Sequence, residues 1–89
     1  MSDLAAIIKA TRASANALES MARFARDIAH NDRTIAWHAL MVSRGLMSAE
    51  HAQWGDSICI ADKNRAMRGQ AKARGRYERA QLILARNPI

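Results

Sequence analysis

Arg44-Gly45-Leu46-Met47-Ser48 is the stretch that organises this chain. A glycine directly after a helical arginine supplies the left-handed residue that ends many helices, and Leu46 is placed to cover that end as in a Schellman cap. Ser48 then offers a side-chain oxygen to the first free N–H groups of a new helix, with Glu50 near its positive end. One helix therefore closes at about residue 44 and another opens after Ser48.

Upstream, Ile35, Ala36, Ala39, Leu40 and Val42 form a short apolar face. The polar run His30-Asn31-Asp32-Arg33 before it reads as a tight inter-helix turn, with Asn31 or Asp32 as a cap. Further back, Leu4, Ile8, Thr11, Ala15, Leu18, Ala22, Ala25 and Ile28 recur at spacings of three and four. This stripe predicts a first helix of about 25 residues, roughly 38 Å long, capped by Ser2 or Asp3. Ile7, Met21 and Phe24 widen the stripe, and its many alanines let a partner helix approach closely.

Downstream, Trp54, Ile58 and Ala61 keep helical spacing, but Gly55 reads as an early stop. The run Ser57-Ile58-Cys59-Ile60 has strand character, yet a lone strand would leave its backbone unpaired, so helix is expected. Gly69 and Gly75 each cost about 1 kcal/mol relative to alanine inside a helix. Residues 62–89 are accordingly expected to be a basic helical segment that is kinked or ordered on binding. The fold expected is all-α: one domain over residues 1–89, a bundle of three or four helices with a long Ala-rich first helix and a basic C-terminal helix.

The core is thin. Of the apolar residues, which make up 49% of the chain, nineteen are alanine and only sixteen are Leu, Ile, Val or Phe. Short chains with so little aliphatic bulk are usually completed by a metal, disulfides or a partner. Cys59 is the only cysteine, which excludes an intrachain disulfide and a cysteine-rich metal site. A homo-oligomer or a larger assembly is the remaining remedy, with Leu4, Ile8, Leu18, Trp37 and Trp54 as expected core or interface anchors. No segment approaches the 18 apolar residues of a membrane span, and the N-terminus lacks a signal-peptide pattern, so a cytoplasmic protein is expected.

No enzyme chemistry is legible. His30, His38 and His51 are too far apart for a helical metal pair, and His38 reads as a boundary residue. His30-Asn31-Asp32 superficially suggests an HNH nuclease, whose strand hairpin this chain does not encode. Cys59, between Ile58 and Ile60, reads as a buried structural thiol. No phosphate loop, nucleophile elbow or carboxylate pair occurs, and no cofactor is expected.

Charge is the informative feature. Of the net +6, residues 63–89 carry eight bases against Glu78 alone, whereas residues 46–62 carry three acids and no base. Arg65, Arg68, Lys72, Arg76, Arg79 and Arg86 fall within an arc of roughly 80° on a helix, with Ala66, Ala73, Tyr77, Ala80 and Leu84 on another face. Such a helix is suited to lie along a phosphate backbone, and Tyr77 is expected to stack on an unpaired base. A helix-turn-helix around Gly45 is not favoured, because residues 49–56 hold two acids and no Lys or Arg. The expected function is a non-catalytic subunit that binds DNA or RNA, or sits in a nucleoprotein complex, through this stripe. The alternatives are a small helical inhibitor of the anti-defence or anti-CRISPR type that viruses encode, docking on an acidic protein surface, and a helical assembly protein.

Overall fold

A computed structural model describes residues 3–88. Among them are two helices and no strand, α1 over Leu4–Ser43 and α2 over Ala49–Arg86. They form an antiparallel hairpin, a rod of 68 × 16 × 14 Å. The direction is set by cross-links along its length. Asp3 N–H donates to Asn87 Oδ1 at one end, Asn31 Nδ2 donates to Asp62 Oδ2 in the middle, and His38 Nδ1 meets Asp56 Oδ1 near the turn.

The turn has the geometry its residues require. Gly45 takes φ +72°, Gly45 N–H donates to Val42 O, and Leu46 N–H donates to Met41 O, the two bonds of a Schellman cap. Ser48 Oγ accepts from His51 N–H, and Asp3 Oδ1 caps α1 by accepting from Ala6 N–H. The alternative cap, Ser2, lies outside the described residues.

The expected bundle of three or four helices is corrected to two, and both errors have a local cause. Residues 30–33 do not break α1. Asn31 is buried in the seam, where its amide donates to Asp27 O at 2.9 Å and to Asp62 Oδ2 at 2.8 Å. A polar residue satisfied inside the seam looks, in sequence, like a turn residue at the surface. In α2, Gly55 and Gly69 mark close approach rather than a stop or kink. A Cβ on Gly55 would stand 2.7 Å from His38 Cε1, and one on Gly69 would stand 2.5 Å from Phe24 Cζ. The helix accepts the propensity cost because larger α1 side chains occupy that space. Residues 62–86 therefore continue one helix.

The seam repeats every seven residues. On α2, Ala52, Cys59, Ala66, Ala73 and Ala80 are buried, each seven after the last. On α1, Ile7, Ala10, Ser14 and Ala17 are buried, and Met21, Phe24, Ile28, Ile35, His38 and Val42 continue the row half-buried. Spacings of three and four over so long a run give the apolar seam of a two-stranded coiled coil. Its α2 side is almost all alanine, so the axes approach closely and little apolar bulk is enclosed. No bulky side chain is fully buried among the described residues.

Of the stripe the sequence singled out, only Ile28 lies in this seam, joined by Ile7, Met21 and Phe24 from its margin. Leu4, Ile8 and Leu18 are 70%, 52% and 49% exposed, and Thr11, Ala15, Ala22 and Ala25 are exposed too. Trp37 and Trp54, at 51% and 63%, also stand outside the core of the hairpin. Helix α1 carries two adjacent non-polar rows, and the chain covers only one of them.

Candidate nucleic-acid interface

The two flanks of the hairpin differ sharply in charge. Asp62, Gly69, Arg76 and Ile83 share one heptad row of α2, and Asp62 is reached across the seam by Asn31. That row opens onto a groove of about 300 Å³ lined by Ala6, Lys9, Ala10, Ala13, Arg76, Arg79, Ala80 and Ile83. Arg65, Lys72, Arg79 and Arg86 form the next row outward, seven residues apart, and Arg68 lies beyond it. All six cations of the sequence stripe are exposed. At 1.5 Å rise per residue, Arg65 to Arg86 spans about 32 Å.

Ala66, Ala73 and Ala80 are what turn this row outward. They fill the seam every seventh position and fix the rotation of α2 about its axis. The ion pairs among the described residues are Lys63–Asp32 and a long Arg65–Asp62 contact at 3.8 Å, and His38 Nδ1 is hydrogen-bonded to Asp56. Arg68, Lys72, Arg76, Arg79 and Arg86 thus have no acidic partner among the described residues. At Gly75 the absent side chain leaves a shallow notch, lined by Ala71, Lys72, Gly75, Arg76 and Arg79. Three cations surround an opening with nothing bulky in it, a geometry suited to a phosphate group.

Two placements depart from the sequence reading. Tyr77 is half-buried in the row of Lys63 and Gln70, on the other flank. Lys63 Nζ pairs with Asp32 Oδ1 at 2.7 Å and Gln70 Nε2 donates to Met21 O, which locates that row away from the arginines. Tyr77 is therefore not within the cationic ridge. Conversely, Lys9 joins Arg76 and Arg79 at the groove although it lies 67 residues from Arg76 in sequence. Only the antiparallel register reveals that neighbour.

The histidines do not assemble. His38 Nδ1 meets Asp56 Oδ1 at 2.7 Å, with Trp37 beside its ring at 5.7 Å between centroids, while His51 lies against Trp54. The His38–Asp56 contact bridges α1 and α2 next to Gly55 and acts as a tie near the turn. Cys59 is buried and unpaired. No cluster of three or more metal-ligating side chains occurs among the described residues, and no helix there is long and apolar enough to cross a membrane. No family model, no curated protein and no solved structure matches this chain.

Proposed function

We propose that the protein is a non-catalytic nucleic-acid-binding subunit that holds a phosphate backbone along the cationic ridge of α2. The observation that carries this is the set of five cations, Arg68, Lys72, Arg76, Arg79 and Arg86, exposed on one side without acidic partners among the described residues. Arginine predominates, and its planar fork donates paired hydrogen bonds to phosphate. Backbone contacts of this kind read charge and shape rather than base sequence. With Arg65 included, six phosphate contacts on a duplex give a slope of about −5 in log affinity against log salt, and about −4 on a single strand. A titration of generic duplex and single-stranded oligonucleotides at several salt concentrations tests this. Slopes near those values support it, and absence of salt-dependent binding to either refutes it.

A second reading has its own observation. The groove beside Arg76 and Arg79 is floored by Ala6, Ala10, Ala13, Ala80 and Ile83, an apolar floor that a phosphate backbone does not need. It suits an acidic amphipathic segment of a protein, as expected for an inhibitor that docks on a host protein. Under that reading, oligonucleotides fail to bind while changes at Ala13 or Ile83 weaken capture of the protein partner.

A further inference from the structure

The flank opposite the arginines is uncovered. Asp32 shares a heptad row with Leu4, Thr11, Leu18 and Ala25, and its pair with Lys63 shows to which side that row turns. Gln81 shares a row with Ile60, Met67 and the exposed Arg74, and Gln81 Nε2 reaches Ser14 Oγ on the same side at 2.9 Å. Leu4, Ile8, Leu18, Ile60 and Met67 are all about half exposed or more, so this flank offers large aliphatic side chains from both helices. From Leu4 to Ala39, the outward rows of α1 on this flank hold one charged residue, Asp32, already paired within the chain.

We infer that this flank is the interface with a second copy of the chain, and that two hairpins join into a four-helix bundle. Three observations select a second copy. The first is area. The chain exposes 6615 Å², whereas a compact monomer of 9.9 kDa exposes about 5,200 Å². The excess of about 1,400 Å² per chain is what a permanent dimer interface of more than 2,000 Å² in total removes. The second is charge. A chain of net +6 is repelled least from its copy on this flank, where Arg74 is the one arginine in the rows named and Lys63 is paired with Asp32. The third is periodicity. The row Leu4, Ile8, Thr11, Ala15, Leu18, Ala22, Ala25 alternates spacings of four and three in step with the intrachain seam, so a second helix packs along it at coiled-coil angles. The bundle so formed carries a cationic ridge on each outer side. This inference does not rest on nucleic-acid binding, since the two flanks are separate.

Sedimentation equilibrium at micromolar concentration, with far-UV circular dichroism on the same samples, tests the interface. The wild-type chain is expected at twice 9.9 kDa. Leu18→Glu, at a side chain the hairpin itself leaves half exposed, is expected to abolish the dimer, whether the monomer stays helical or unfolds. Leu40→Glu, equally apolar but outside the two rows, is expected to remain a dimer. A helical wild-type monomer overturns the proposal. So does a Leu18→Glu variant that dimerises like the wild type, or a Leu40→Glu variant that loses the dimer as completely as Leu18→Glu.

Discussion

Gly69→Ala and Gly75→Ala make the same chemical change twice in one helix, and the structure assigns them opposite signs. In a solvent-facing helix interior, alanine in place of glycine gains about 1 kcal/mol. At Gly75 the nearest atom to a new Cβ is Arg79 Nη1 at 3.4 Å, the free end of a flexible side chain. That variant collects nearly the whole gain. At Gly69 the new Cβ would meet Phe24 Cζ at 2.5 Å, Cε1 at 2.7 Å and Cε2 at 2.9 Å. Carbon atoms rest at about 3.5–4.0 Å, so the ring edge must withdraw by about 1 Å or the helices must part. Overpacking of this kind costs about 1–3 kcal/mol, which outweighs the propensity gain and leaves a net loss of about 1 kcal/mol. The two variants then differ by about 2 kcal/mol, or about 1 M in urea midpoint at a slope of about 2 kcal/mol/M. Unfolding followed by circular dichroism at one fixed protein concentration reads this directly. In a Phe24→Ala background the obstacle is gone, and Gly69→Ala should turn stabilising by about 1 kcal/mol. If Gly69→Ala and Gly75→Ala stabilise the wild-type chain equally, the close approach of Phe24 to α2 is wrong, and the register with it.

Asn31→Ala removes two part-buried hydrogen bonds and leaves a gap, and should cost about 1–3 kcal/mol. Asn31→Leu refills the seam while Asp62, half exposed, turns to water, so its melting temperature should stand well above that of Asn31→Ala; equal melting of the two would show that the site is not part of an apolar seam. Gly45→Ala should lose about 1 kcal/mol from its φ of +72° alone, because no atom lies within 4 Å of the added Cβ. Gly45→Asn should lose less, and an alanine variant as stable as wild type would contradict the Schellman geometry.

The features legible in sequence are those that one helix determines by itself. The caps at Asp3, Gly45 and Ser48 obey local chemistry and are seen in the structure. The alanine face of α2 follows from periodicity alone. What was not legible depends on the partner helix. Asn31 is a seam residue only because Asp62 lies opposite, and Gly69 is tolerated only because Phe24 does. The choice between the two non-polar rows of α1 failed for the same reason. Ser14 and Asn31 interrupt the buried row with polar groups, which made the row from Leu4 to Ala25, broken only by Thr11, look like the core. Lys9 beside Arg76 is likewise a property of register, invisible to spacing along one chain.

If the cationic ridge of α2 binds phosphate, changing Arg68, Lys72 and Arg76 together to Gln tests it most directly. The three side chains are exposed and glutamine keeps helix propensity nearly constant, so the hairpin is preserved. Removing three of six phosphate contacts should flatten the slope of log affinity against log salt by about 2–3, with helicity unchanged. An oligonucleotide affinity and salt slope equal to those of the wild-type chain would show that these cations are only a solvated surface, and would contradict the account.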